Sequence, residues 1–269
     1  MRSLSRCGSA TCRYWPGRAE APRRDGERIA DRVGGDLQAE FFEGISYGDD
    51  PANQLDLYVP QASSPTPLLI YIHGGGFTGG SRDTVPLADA VRALLAEQVA
   101  VASIDYRLLV SPDPEGRHPS LSDSTQALRF LRYRRQFNID RNRVVLMGSS
   151  AGAGTSLWIA FNDEMADSEA SDPVAQFSTR VDGVIALSTQ ATYDIGKWET
   201  VVFRDFPGAN VLERPMCLES PSCFSIFTEC QVLKEFGSES ILEYRARVDM
   251  LGLMDGDDPP NFCRQSFAR

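Results

Sequence analysis

Ser150 stands at the centre of Gly148-Ser149-Ser150-Ala151-Gly152, a G-x-S-x-G pattern between the apolar run 144–147 and the small-residue stretch 153–161. A serine hydroxyl is a weak nucleophile at neutral pH. It gains reactivity when a tight strand-to-helix turn lifts it into the open, where a base can reach its proton and a backbone N–H can face the developing oxyanion. Glycines at 148 and 152 remove the Cβ atoms that would collide where strand and helix crowd together, and Ala151 leaves its amide clear to donate. This spacing predicts that Ser150, rather than its neighbour Ser149, sits on the turn with its hydroxyl facing the rim of the sheet. Glycine and serine also abound in ordinary turns, so the chemical reading depends on the strand before the pentapeptide and the helix after it.

A second element lies upstream. The apolar, β-rich run 67–72 empties directly into His73-Gly74-Gly75-Gly76-Phe77. Three successive glycines let neighbouring amides point at one place with no side chain in the way, which is how a loop binds an oxyanion. A phosphate-cradling loop would need Gly-Lys-Ser/Thr, or G-x-G-x-x-G opening a helix. Residues 74–82 contain no Gly-Lys-Ser/Thr, and the G-x-G-x-x-G spacing of 74–79 does not open a helical pattern.

In this order the two motifs make the chain resemble the carboxylesterase and hormone-sensitive-lipase-like branch of the α/β-hydrolase superfamily. Residues 53–60 (Asn-Gln-Leu-Asp-Leu-Tyr-Val-Pro) resemble an early strand of such esterases, residues 103–108 resemble the strand end between the motifs, and residues 140–144 look like the lead-in to the serine strand. The likeness is specific over 53–161, thinner to Asp194 and largely lost beyond. It implies an α/β fold of α/β-hydrolase type, with a doubly wound, mostly parallel sheet lacking the last elements. It further implies a serine carboxylic-ester hydrolase that works through an acyl-Ser150 intermediate on a small-molecule ester, with no cofactor and no metal. Carried over onto this sequence, Gly74, Gly75 and Ala151 would form the oxyanion hole, and His73 and Gly76 would support its loop.

The general base is harder to place. The sequence holds two histidines, His73 and His118, whereas in the family the order is serine, then acid, then histidine. His118 reads as a surface-loop histidine, or as a substitute base. Asp257-Asp258-Pro259-Pro260 resembles the approach to the strand that precedes the family's acid, with Asp255, Asp257 and Asp258 as nominal acids that read better as acidic loop surface. Two further readings therefore stand beside the esterase. One is a non-catalytic α/β-hydrolase-fold protein that binds a small ligand in the same pocket, similar to gibberellin-receptor-like members; the other is a fragment of a longer esterase.

Composition agrees with one globular domain: 269 residues, 42% hydrophobic and 24% charged. A net charge of −10 leaves a nucleic-acid partner only a local basic patch, and residues 1–24, with six arginines against Glu20, are the one candidate. Residues 1–35 read as a disordered basic leader, 36–269 as the hydrolase domain, and 194–240 as a lid or cap or as core packing. The leader has no apolar signal core, and no run approaches the ~20 apolar residues of a membrane span, so a cytoplasmic location is expected. Six cysteines without a C-x-x-C pair, and without histidine partners, read as free thiols. The sequence carries no sign of oligomeric state.

Alternating patterns predict the scaffold. Strands are expected at 68–72, 99–104, 144–147 and 184–188. A helix capped by Thr84 would bury Leu87, Val91, Leu94 and Leu95. A second, capped by Asp123 with Gln126 three residues on, would bury Ala127, Leu128 and Leu131 and leave Arg129, Arg132, Arg134 and Arg135 solvated. Residues 162–179 read as loop or helix surface. In a parallel sheet ligands sit beyond the carboxyl ends of the strands, so the loops after 72, 108, 147 and 188 should share one rim and bring His73, His118 and Ser150 to the same face.

Overall fold

Alternating apolar side chains lay down the sheet. In the strand Thr66–Ile72, Leu68, Ile70 and Ile72 enter one buried cluster while Leu69 and Tyr71 enter another on the opposite face, the two-residue period of a strand buried on both sides. The computed structural model describes residues 37–84, 88–108, 119–189, 192–194, 197, 201 and 239–264. Within them the strands are β1 (Ala39–Ser46), β2 (Gln54–Pro60), β3 (Thr66–Ile72), β4 (Ala100–Ile104), β5 (Ile139–Ser149), β6 (Gly183–Leu187) and β7 (Asn261–Arg264). They lie in the order β1-β2-β4-β3-β5-β6-β7. β2 pairs antiparallel with β1 and β4, and every pair from β4 to β7 is parallel. The doubly wound, mostly parallel sheet expected from the sequence is present.

Helices cover both faces. α1 (Ala88–Ala96) buries Val91 and Leu95 against Leu69, Tyr71 and Val101, with Leu94 packed beside them. Thr84 ends a short 3-10 turn, Arg82–Thr84, and Leu87 lies outside the described residues. On the other face, α2 (Pro119–Tyr133) buries Leu128 and Leu131, and α3 (Ala151–Phe161) packs behind β5 and β6.

Two expectations about α2 are corrected. The helix opens at Pro119, where a missing N–H costs nothing, so Asp123 lies inside it and does not cap it. Its buried carboxylate instead accepts the Arg107 backbone N–H at 2.9 Å and the Arg107 guanidinium at 2.7 Å, fixing the segment after β4 to α2. Nor are all the arginines solvated: Arg132 is buried and donates to the carbonyls of Ser178 (2.7 Å) and Arg180, and Arg129 donates to that of Met165. These bonds hold the irregular stretch 162–182, of which 162–179 were expected as loop or helix surface, against the helix.

After β6 the described chain resumes with α4 (Glu239–Val248), α5 (Met250–Leu253) and β7. Trp158 of α3 donates its indole N–H to the Arg247 carbonyl at 2.8 Å, and Asp194 accepts Arg245 through two bonds of 2.8 and 3.2 Å. The basic leader, the aromatics of the 194–240 region, His118 and every cysteine except Cys263 lie outside the described residues. Cys263 is a free, exposed thiol. No helix among the described residues is long and apolar enough to cross a membrane.

Candidate active site

The register brings the two motifs together. Ile72 is level with both Gly148 and Ile104, and Ser149 is level with Leu187, so β3, β4, β5 and β6 end at one rim. Ser150 follows β5 at once, with φ 52° and ψ −117°, and α3 starts at the next residue. A non-glycine residue in this region is strained, and strain of this kind persists only where the surroundings impose it. Here they are crowded backbone. A Cβ on Gly148 would lie 2.5 Å from the Ala153 nitrogen, and one on Gly152 would lie 2.5 Å from the His73 carbonyl oxygen and closer still to that of Ile72. The Ser150 N–H is tied across to the Leu187 carbonyl at 2.8 Å. Its side chain makes no cap bond to the helix, and the residue is half-buried. The first N–H groups of α3, Ala151 among them, have no partner within the helix and form its positive end.

The glycine loop lies directly on this turn. A Cβ on Gly74 would come 2.6 Å from the Ser149 carbonyl oxygen and 3.3 Å from the Ser150 Cβ. Gly75 (φ 111°) and Gly76 (φ 60°) adopt conformations that glycine takes readily, and the Gly75 carbonyl accepts the N–H groups of Thr78 (3.0 Å) and Gly79 (3.1 Å). The loop folds back on itself and keeps its glycines against the serine.

His73 faces away from that space. It is 1% exposed, and its ring stacks on Tyr106 at 4.2 Å. Its Nδ1 donates to the Gly74 carbonyl at 2.7 Å, leaving Nε2 3.9 Å from Asp105 Oδ1. A layer that sequence reading missed stands behind it. The Arg82 backbone N–H donates to Asp105 at 2.5 Å and its guanidinium bonds both Asp105 and Asp56, the latter at 3.0 Å; Ser103 Oγ donates to the Arg82 carbonyl at 2.7 Å. Arg82 thus fastens the far end of the glycine loop to β2 and β4. The available signal was Asp56 itself, an acid within the apolar β2 run that proves 1% exposed. A buried carboxylate of this kind requires a partner.

Burial pushes the His73 pKa below its ordinary 6.5, and the Gly74 carbonyl and the Asp105 charge offset this only in part. The unfolded chain regains the ordinary value. As pH falls below 6.5 the unfolded state therefore takes up the proton first, so the contribution of neutral His73, complete above 6.5, is lost as pH drops toward the folded value. Urea unfolding of wild type and His73→Asn on either side of that pH is expected to show the stability gap between them narrowing in acid. A gap independent of pH would show that His73 is not held neutral.

The acidic residues before β7 are not part of this rim. Asn261 is level with Val184 and Leu146, whereas Arg264 is level with Leu187 and Ser149. Asp255, Asp257 and Asp258 precede Asn261 and so lie toward the opposite edge, roughly 13 Å or more from the serine at about 3.3 Å of rise per residue. They cap their own turn, with the Asp255 N–H bonded to Asp258 at 2.7 Å and the Asp257 N–H to Asp255 at 2.8 Å. They are loop surface.

With the geometry in place, the family model for BD-FAE matches residues 55–205, spanning the glycine loop and the serine turn. The chain belongs to the BD-FAE family. It is 30% identical over 147 residues to the probable isoprenylcysteine alpha-carbonyl methylesterase ICMEL1 of Arabidopsis thaliana, covering 54% of this chain and 30% of that one. It is 32% identical over 181 residues to Esterase LipC of Mycobacterium tuberculosis, covering 63% and 42%. The chain spans about a third of the length of the curated relatives it matches. A solved truncated form of a carbohydrate esterase from gut microbiota superposes with a TM-score of 0.61 over 86% of this chain and 78% of that one, at 16% identity. At that identity the likeness concerns the fold, and the fold of this BD-FAE chain is that of an α/β-hydrolase.

Proposed function

We propose that this BD-FAE site is that of a serine carboxylic-ester hydrolase. The observation that carries the reading is the strained Ser150 turn with the Gly74–Gly76 loop laid against it. Ser150 Oγ attacks the ester carbonyl carbon. As the Oγ–C bond forms, the carbonyl electron pair moves to oxygen, and the N–H groups of Gly74, Gly75 and Ala151 hold the oxyanion. Its collapse breaks the bond to the alcohol oxygen, which leaves with the proton taken from Ser150, and water then releases the acid from the acyl-serine. His73 and Gly76 shape the loop and take no proton. His118, which lies outside the described residues, is a candidate substitute base. Esters of small alcohols are the substrate class, in keeping with the methylesterase and esterase names of the relatives.

The locked His73 favours a second reading as well, a ligand-binding protein that keeps the pocket without turnover. A serine without its base retains only the residual acceleration of binding and oxyanion stabilisation. Residues 1–269 are therefore expected to turn over a short-chain activated ester slowly and to be labelled by a fluorophosphonate at Ser150 slowly but selectively, the label being located by mass spectrometry of the modified peptide. Brisk turnover abolished by both Ser150→Ala and His118→Ala would establish His118 as the base. Labelling indifferent to Ser150→Ala would overturn the nucleophile assignment.

A further inference from the structure

We propose that Tyr193 is a positioning residue of the oxyanion hole, a buried strut that joins the glycine loop to the first turn of the helix behind Ser150. The proposal rests on the reading of Ser150 as nucleophile and adds to it the residue that keeps the two halves of the hole in register. Those halves come from distant parts of the chain, Gly74 and Gly75 after β3 and Ala151 at the start of α3. A hole of this kind works only if its donors stay within a few tenths of an ångström of where the charge develops.

Tyr193 touches both halves. Its hydroxyl donates to the Ala151 carbonyl at 2.6 Å, and its ring meets the edge of Phe77, the residue that closes the glycine run, at 5.4 Å and 68°. Among the described residues at this rim, Phe77 has a positive φ (61°), as do Ser150 (52°) and Ser188 (53°), so the strut bears on the strained part of the backbone. The helix makes room for it. A Cβ on Gly154 would lie 2.6 Å from the Tyr193 ring carbon that bears the hydroxyl, so α3 gives up a side chain at that position to admit the phenol.

The strut is fixed from behind. The Tyr193 N–H donates to the Val248 carbonyl at 3.2 Å, Thr192 Oγ1 donates to the buried Asp249 carboxylate at 2.9 Å, and Asp194 on the other side is clamped by Arg245. Burial holds the phenol above its ordinary pKa, so it stays a donor throughout the working range of pH. Nothing in this arrangement places Tyr193 against substrate; it acts through Phe77 and Ala151.

The test uses the whole chain and a fluorophosphonate probe, whose inactivation kinetics separate initial binding (KI) from the covalent step (kinact). Tyr193→Phe keeps the ring against Phe77 and removes the hydroxyl's bonds to Ala151 and to Thr155 in the same helical turn. It is expected to lower kinact about three- to tenfold at unchanged KI. Hydrogen exchange should quicken in peptides covering 74–80 and 151–155 while the β3 and β5 cores stay protected. Phe77→Leu should produce a similar loss, and the double variant little more than either single one, because both break the same linkage. Tyr71→Phe, which removes a buried phenol on the far face of the sheet, is the control for general loosening and should leave kinact unchanged.

Tyr193→Phe with wild-type kinact and wild-type exchange would overturn the proposal, as would additive losses in the double variant. A wild type that takes no label at Ser150 would count against the nucleophile itself, and the strut would then stand or fall on the exchange of the two peptides alone.

Discussion

Glycine at position 150 is expected to abolish covalent capture by a fluorophosphonate and, in the same protein, to raise the melting temperature. Loss of capture follows from loss of the hydroxyl. The gain follows from the backbone: at φ 52° and ψ −117° a side chain is strained, and strain of this kind costs on the order of 1–3 kcal/mol. Glycine relieves it, and its larger entropy loss on folding, about 0.5–1 kcal/mol, takes back part of the gain. The net is about 1 kcal/mol, equivalent to about 2–4 °C in a domain of this size. Ser150→Ala separates the two effects, because it removes the hydroxyl and keeps the Cβ in the strained conformation, so it should lose capture without gaining stability. Thermal melts of the three proteins read this directly. A Ser150→Gly protein no more stable than Ser150→Ala would show that the turn is not strained.

The largest expected loss of stability comes from one added methyl group. Gly152 faces the end of β3, and a Cβ there would lie 2.5 Å from the His73 carbonyl oxygen and nearer to that of Ile72. Both obstacles are backbone, so no rotamer change relieves the clash. Either α3 lifts off the sheet or β3 bends. Overpacking a core where side chains can adjust costs about 1–3 kcal/mol; against fixed backbone Gly152→Ala should cost about 3 kcal/mol or more. Gly79→Ala is the matched control, since a Cβ at that position meets nothing within 4 Å. Urea midpoints should fall sharply for the first variant and hardly move for the second. Comparable midpoints would mean that strand and helix are not in close contact at the serine turn.

What the sequence made legible was whatever depends on local pattern. The two glycine motifs announced themselves because close approach of backbone leaves glycine as the residue that fits, and the expected strands reappear as β3 to β6, with Val99 just outside β4, the serine strand extended back to Ile139 and Ser188 just past β6. The Asp-Asp-Pro-Pro lead-in does run into a strand at Asn261. What stayed hidden were long-range partnerships. The pattern Asp123-x-x-Gln126 matches a helix start, yet the true start is Pro119 and the carboxylate is engaged by Arg107, sixteen residues away. The arginines of α2 read as a solvated stripe because nothing local reveals that carbonyls of residues 165–180 close over them. Asp56, Arg82 and Asp105 lie on three separate segments, and Tyr193 lies where the likeness to known esterases had thinned. Strand direction, which the sequence does not state, set aside the acids before β7.

The contacts that hold the serine turn have a consequence for how such a protein loses activity. Gly148 against Ala153, Gly152 against Ile72 and His73, and the Ser150 N–H on Leu187 are all made by main chain, and the serine hydroxyl caps nothing. The socket therefore owes nothing to the chemistry performed in it. Mutations that erase a proton acceptor elsewhere relax no part of this geometry, so descent from an enzyme to a receptor meets no folding barrier at the turn. In this architecture an intact elbow is a record of ancestry, and turnover is decided by residues that the elbow does not need in order to form.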